Sequence, residues 1–263
     1  MNSNGMISIG EPLPRVDGNA KVTGTAKYAA EFQAPGLVYG SLVMSTIPSG
    51  RITRIKTTDA ARAPGVLAVI TSANAPKLPG AERRLALLQD NEVFYQNQPI
   101  ALVVAESLPQ AQYGASLVRP EYEPAAAKLD FQAGFPASYT YTNTGEPGDQ
   151  GWGDVEAGLA QADVRIEQVY TTPIQHHNPM EPHATIAQCD GEHVTLHDAT
   201  QHISGVKEKV AKVFGLPKEN VHVTCPFTGG GFGCKGQVWS HVLLAVLAAK
   251  QVQRPVKLVL ERP

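Results

Sequence analysis

Two periods of apolar residues follow one another along this chain, and they predict an order of strands and helices. Val38-Tyr39-Gly40-Ser41-Leu42-Val43-Met44 reads as a strand. After Pro48-Ser49-Gly50, the run Arg51-Ile52-Thr53-Arg54-Ile55-Lys56-Thr57 alternates like a second strand. Ile52 and Ile55 would fall on opposite faces of it, which predicts a bulge between them. Asp59 to Arg62 begins a short helix that Pro64-Gly65 stops, and Val66-Leu67-Ala68-Val69-Ile70 is an apolar run of strand length. Residues 74–92, rich in Pro, Gly and charge, read as an irregular excursion. Strand Pro99 to Ala105, helix Leu108 to Leu117 and strand Val118 to Tyr122 come next. Residues 1–14 are polar and Pro-rich and read as an extended arm, and the Asp17-Gly18 and Thr23-Gly24 pairs read as turns. Residues 15–125 are thus expected to form a compact α/β or α+β domain.

From 126 to 153 the composition shifts to Ala, Gly, Pro, Thr and Asn, with Tyr139, Tyr141 and Trp152 among its large side chains. The stretch reads as a linker, too long for an ordinary loop, draped over one domain or a partner. Residues 154–263 then resume the periodic pattern as a second domain. Asp154 to Ala162 predicts a short helix, and Val164-Arg165-Ile166-Glu167-Gln168-Val169-Tyr170 alternates like a half-buried strand. Ala184 to Cys189 and His193 to His197, joined at Asp190-Gly191, read as a hairpin. Ile203, Val206, Val210, Val213 and Phe214 line one face of a helix ended by Gly215 and Pro217.

Within this second domain, Val221-His222-Val223-Thr224-Cys225 reads as a strand, and Val238, Val242, Val246 and Ala249 recur at helical spacing. Between them Gly229 to Gly236 holds five glycines in eight positions. Glycine loses the most backbone entropy on folding and brings no side chain to a core, so the run serves a backbone geometry. A strand, glycine loop and helix leave helix N–H groups free for an anion, which makes a negatively charged cofactor one reading and a close-packing turn the other. A phosphate-binding P-loop is absent, because Lys235 is followed by Gly236 and Gln237 rather than Ser or Thr. Gly231, Gly233 and Gly236 satisfy the glycine spacing of a dinucleotide fingerprint, but Glu261 is far and no βαβ unit can finish before Pro263.

Length, composition and charge narrow the classes. The 263 residues are 43% hydrophobic, enough for one large or two ordinary cores. A formal charge of -2 with both signs interspersed offers no basic face for nucleic acid. Three cysteines, Cys189, Cys225 and Cys234, show no Cys-x-x-Cys spacing, so neither a disulfide framework nor a zinc knuckle is indicated. No segment approaches the ~20 apolar residues of a membrane span, and Met1 to Met6 lacks the charged start and apolar run of a signal peptide. The expectation is a cytoplasmic location, or a periplasmic one reached by co-export with a partner carrying the signal.

Two constellations carry candidate chemistry. His176-His177-Asn178-Pro179-Met180-Glu181-Pro182-His183 has the residue types of a zinc or non-haem iron site. Its two prolines make it rigid and extended, so the adjacent histidines point apart, and a polar turn with Glu181 satisfied by backbone N–H groups is favoured. Asp198-Ala199-Thr200-Gln201 sits at a strand-to-helix junction, where Gln201 is either a helix-start residue or a functional one.

Taken in order, a set of motifs adds to this reading. Arg15-Val16-Asp17-Gly18, Tyr28-Ala29-Ala30-Glu31, Ala63-Pro64-Gly65-Val66 and Gln98 to Ala105 resemble the a/b hammerhead domain of the xanthine dehydrogenase and aldehyde oxidase family. Asn178-Pro179-Met180-Glu181-Pro182-His183, Ala199-Thr200-Gln201 and Gly229-Gly230-Gly231-Phe232-Gly233 resemble the opening of that family's mixed α/β molybdopterin-binding domain. The resemblance covers nearly the whole chain. Cys234-Lys235-Gly236, where xanthine-type members often have Gly-Lys-Glu, is closer to bacterial aldehyde oxidoreductases of the periplasmic type.

That resemblance implies a molybdenum hydroxylase oxidising aldehydes with water-derived oxygen, or alternatively a xanthine or N-heterocycle dehydrogenase. It implies a molybdopterin cofactor with molybdenum, in the cytosine dinucleotide form, and electron transfer to iron–sulfur and FAD partner subunits. Gln201 would hydrogen-bond the apical oxo group, as suits a neutral amide donor. Gly229, Gly230, Gly231 and Gly233 would pass against the metal centre and pterin, where a Cβ would clash, with Phe232 at the wall of the site. No side chain is expected to ligate the metal. The family's general-base glutamate would lie beyond Pro263, in the remainder of the subunit, so no catalytic residue is assigned here. A truncated product, a split subunit and a fragment all fit that departure. So does a reading from another class, a non-catalytic module that docks onto partner subunits.

Overall fold

A computed structural model describes residues 10, 12–83, 85, 87–140, 148 and 150–262. Tyr141, one of the large side chains of the expected linker, lies outside the described residues, as does most of the expected N-terminal arm. In chain order the strands are β1 Val38–Met44, β2 Gly50–Lys56, β3 Val66–Thr71, β4 Glu92–Val93, β5 Pro99–Ala105, β6 Arg119–Pro124, β7 Ala184–Asp190, β8 His193–Asp198, β9 Val221–Thr224 and β10 Val256–Val259. The helices are α1 Gly18–Val22, α2 Thr58–Arg62, α3 Leu108–Leu117, α4 Phe131–Gly134, α5 Val155–Gln161, α6 Ile203–Phe214 and α7 Ser240–Val252. The mixed α/β class expected from the pattern is observed. The chain divides into two compact units, residues 1–125 with 177–263 and residues 126–176.

In the first unit a seven-stranded sheet runs in the order β3-β5-β1-β10-β7-β8-β9, and a three-stranded sheet in the order β4-β2-β6. The joint of the large sheet is β10. It pairs parallel with β1 and antiparallel with β7, so strands from residues 38–105 and from 184–224 share one sheet. Nothing in the pattern announced β10. It has four residues, one of them the buried Lys257, and a run so short with a charge inside it gives no period to read. The boundary expected at residue 154 therefore falls inside the second unit, while the stretches to either side of that unit complete a common sheet.

Strand β5 is buried along its whole length between β1 and β3, as a continuous apolar run without alternation requires. The bulge expected in β2 is present, with the register shifting between Ile52 and Arg54. Helix α7 is buried from His241 to Ala249, apolar on all sides rather than amphipathic, and with α6 it forms the main core against the sheet. Val238 precedes this helix rather than belonging to it. Leu78, Leu85, Leu87 and Leu88 place the irregular excursion of residues 74–92 in the same core. Residues 18–22, read as lying between turns, close a helical turn instead.

The second unit carries α4 and α5, each begun by an Asp side chain, Asp130 and Asp154, that accepts from the backbone N–H three residues on. The helical turn at 131–134 lies within the stretch read as a linker. Val164 to Tyr170, expected as a half-buried strand, belongs to no strand among the described residues, and its side chains are exposed. Among the described residues no helix is long and apolar enough to cross a membrane.

Candidate functional site

Three segments converge at one end of the large sheet: the turn from Asn178 to His183, the end of β8 with Asp198 to Gln201, and the loop from Cys225 to Trp239. Backbone bonds stitch them. Glu181 N donates to Gly229 O at 3.0 Å, and Gln201 N donates to Lys235 O at 2.9 Å. The Thr200 hydroxyl donates to Lys235 O at 3.3 Å, and Thr228 Oγ1 donates to Thr200 O at 3.3 Å. The sequence-predicted residues Gln201 and Gly229 to Gly233 are thus brought together.

Gln201 is fixed by the loop. Its side-chain oxygen accepts from the N–H groups of Gly233 and Lys235, each at 3.2 Å. Two donors facing one atom identify that atom as the oxygen. The amide nitrogen is what remains, and among the described residues it has no hydrogen bond. The residue is exposed, so a donor is presented outward from a rigid support.

The glycines answer to the protein's own packing as well as to any cofactor. A Cβ on Gly231 would stand 2.3 Å from Gln201 Oε1, and one on Gly229 would stand 2.5 Å from Glu181 Cβ. Gly230 and Gly233 have φ of 93° and 100°, a region that L side chains rarely adopt. Phe232 between them also has a positive φ, 51°, and is 70% exposed. A bulky residue held in the left-handed region costs about 1–2 kcal/mol, and such strain gathers at functional loops. The helix does not begin where the glycines end: α7 starts at Ser240 behind Trp239, so the first N–H groups of the helix lie beyond the run. The expected anion site of glycine loop and adjacent helix N-terminus is replaced by an irregular loop whose turns close on themselves, Cys234 N to Gly231 O and Gly236 N to Gly233 O.

Beneath the loop lies a buried polar floor that the pattern did not reveal. Lys235 is fully buried and its ammonium donates to Glu181 Oε2 at 2.7 Å and to Glu181 O at 2.9 Å. Glu181 also accepts from Gly229 N at 2.8 Å and Ala29 N at 3.4 Å. The rigid turn with Glu181 satisfied by backbone N–H groups is therefore observed, with a lysine 54 residues away added to it. Removing either partner of such a pair typically costs about 3–5 kcal/mol, because the other charge is stranded in low dielectric.

Asp198, His241 and His183 complete the floor. Asp198 accepts from the Thr185 hydroxyl, and burial pushes its carboxyl up to about 6. His241 is buried with both ring nitrogens lacking a partner, and burial, reinforced by His183 and Lys235, holds it down to about 3. His183 packs edge-on against His241 and Trp239, and burial, with Lys235 adding to it, lowers its pKa. Among the described residues no group of three or more His, Cys, Asp or Glu is disposed to hold a metal ion. His176 and His177 are both exposed.

Known proteins resemble this chain over nearly its whole length. Residues 23–126 match the family described as aldehyde oxidase and xanthine dehydrogenase, a/b hammerhead domain, and residues 138–263 match the molybdopterin cofactor-binding domain. The chain is 42% identical over 258 residues to the aldehyde oxidoreductase molybdenum-binding subunit PaoC of Escherichia coli K12, covering 97% of this chain and 35% of that protein. It is 32% identical to the carbon monoxide dehydrogenase large chain of Afipia carboxidovorans, covering 94% of this chain and 34% of that protein. Among solved structures, the reconstituted CO dehydrogenase from Oligotropha carboxidovorans superimposes with a TM-score of 0.81 at 30% identity, covering 96% of this chain and 35% of that one. The aldehyde oxidoreductase from Desulfovibrio gigas gives 0.78 at 26%, covering 94% and 30%. The chain spans about a third of the length of these relatives.

Proposed function

Because the chain belongs to the aldehyde oxidase and xanthine dehydrogenase family, with its hammerhead domain followed by part of its molybdopterin-binding domain, we propose that it serves a molybdenum hydroxylase that oxidises aldehydes with water-derived oxygen. The aldehyde preference is supported by the likeness to PaoC, and by the ending Cys234-Lys235-Gly236, which departs from the Gly-Lys-Glu of xanthine-type members. The cofactor is molybdopterin with molybdenum in its cytosine dinucleotide form. The partners are an iron–sulfur subunit and an FAD subunit. The complex works in the cytoplasm, or in the periplasm after export with a partner.

The observation that carries this reading is the state of Gln201. Its oxygen is committed to two loop amides, and its NH2 is left as a fixed, neutral donor beside an exposed aromatic held in strained backbone. When bound, the cofactor supplies the two-electron oxidation and the oxygen transfer. The chain's own part is to position: Gln201 presents N–H to an oxo group without yielding a proton, the Gly229–Gly233 backbone lets the cofactor approach closely, and Phe232 walls off water.

The test is turnover and molybdenum content of the assembled complex carrying Gln201→Ala or Gly231→Ala. Loss of one such hydrogen bond, about 1.5–3 kcal/mol, slows turnover roughly ten- to a hundredfold in Gln201→Ala with molybdenum content unchanged. Gly231→Ala has the same effect, because its methyl displaces the Gln201 amide from the loop while the thermal midpoint stays near wild type. A native complex active without molybdenum, or full turnover in both folded variants, overturns the proposal.

A further inference from the structure

Two buried groups that the proposed chemistry leaves unused sit where the site's segments meet. Asp198 is 2% exposed and ends β8, three residues before Gln201. His241 is 3% exposed and lies in the first turn of α7, directly after the loop that holds the glycines. Its Nε2 is 4.0 Å from Asp198 Oδ1, beyond a hydrogen bond but too close for a water between them. A buried ring with both nitrogens orphaned is costly, and a shift of about an ångström would satisfy one of them.

We propose that Asp198 and His241 share one proton across this gap, and that the shared proton latches the strand end carrying Gln201 to the loop and helix start that follow the glycine run. His241 is then a positioning residue, acting on Gln201 through the backbone on either side. The groups facing the couple bias it toward a proton on the carboxyl side. Lys235, paired with Glu181, and His183, edge-on at 5.5 Å between ring centroids, both disfavour a charge on His241, while at Asp198 Glu181 opposes Lys235 and the Thr185 hydroxyl donates. The proton rests on Asp198, whose hydroxyl donates to neutral Nε2, since burial raises the carboxyl to about 6 and lowers the imidazole to about 3. As pH rises past that range the proton leaves; even with the imidazole N–H moved to Nε2 to donate to it, the carboxylate is a net charge held in a buried site, so opening that exposes it to water is favoured and the latch loosens.

Linkage gives the couple a signature that neither residue has alone. A raised Asp198 contributes stability that is full below about 3.8 and lost as pH rises through about 6. A depressed His241 contributes stability present above about 6.5 and lost as pH falls through about 3. Between about 4 and 6 the unfolded chain carries one proton on the histidine and the folded chain carries one on the aspartate, so the two slopes cancel.

The experiment is denaturant unfolding from pH 4 to 6.5, with amide hydrogen exchange at Gly233 and Lys235 from pH 5.5 to 7.5, on the whole protein in its native complex. Relative to wild type, the unfolding constant of Asp198→Asn falls about tenfold per pH unit over the window, and that of His241→Leu rises about tenfold. The double variant shows neither slope. In exchange corrected for intrinsic rate, wild-type protection of the two amides that hold Gln201 drops about tenfold with rising pH. In Asp198→Asn it stays constant, since an amide donates to Nε2 at every pH. Equal slopes in the two single variants, or pH-independent protection in the wild type, overturn the latch. The functional meaning rests on the role proposed for Gln201, yet these readouts need no turnover, so failure of the latch and failure of the cofactor reading are distinguishable.

Discussion

Strand β8, His193-Val194-Thr195-Leu196-His197-Asp198, and the stretch Val164-Arg165-Ile166-Glu167-Gln168-Val169-Tyr170 carry the same kind of alternation and meet opposite fates. In β8 the apolar positions Val194 and Leu196 are fully buried, and the strand bonds β7 on one side and β9 on the other. In the other stretch Val164, Ile166, Val169 and Tyr170 are all exposed, and no strand forms among the described residues. Alternation states which face would be buried if a sheet were at hand. A strand also needs a neighbour to take its N–H and C=O groups, and the local sequence is silent about that.

The contrast extends to charge, where the largest effect is expected. Arg165 and Glu167 stand in solvent, while Lys235 is fully buried against Glu181. Lys235→Met strands the carboxylate under the glycine loop and lowers unfolding free energy by about 4 kcal/mol. Chemical denaturation of the native complex checks it, and a loss under 1 kcal/mol would mean that the pair is hydrated. Next comes Leu196→Ala, which leaves a void between the sheet and its covering helices and costs about 3 kcal/mol by the same measurement. A small loss there would erase the distinction between β8 and the exposed stretch.

Much of the fold was legible because its elements are locally consistent. The β1 run, the apolar β5, the hairpin of β7 and β8 and the amphipathic α6 closed by Gly215 in left-handed backbone each carry their period and punctuation in sequence. What was illegible depends on partners far along the chain. Strand β10 exists because β1 and β7 offer two edges for four residues to fill, and residues 164–170 stay out of any strand for want of such edges. In the site, the motif order pointed to Gln201 and the glycine run, and the structure adds a reason for Gly231 that the motif did not give, the Gln201 side chain that a Cβ there would meet. Lys235, Asp198 and His241 were missed as a floor, since a lysine inside a glycine run and a histidine inside an apolar helix reveal their partners only once three segments meet. The clearest retrospective signal is His241, the polar interruption of an otherwise apolar helix.

The smallest expected effect tests the comparison most directly. Ile166 is the residue in the exposed stretch that would occupy the buried face if the alternation meant a strand, and it is 81% exposed. Truncation to Ala removes apolar surface that folding has not taken from water, so the transfer and cavity contributions that make Leu196→Ala costly are both absent. Ile166→Ala in this chain is expected to change unfolding free energy by less than about 0.5 kcal/mol, the range of substitutions made away from packed features. Ile166→Thr, which keeps a β-branched side chain but adds a hydroxyl, is expected to be equally silent, whereas in a half-buried strand it would bury an unpaired polar group. If both variants lose more than about 1 kcal/mol, and Thr more than Ala, the stretch has found an edge to pair with and its alternation means what it means in β8.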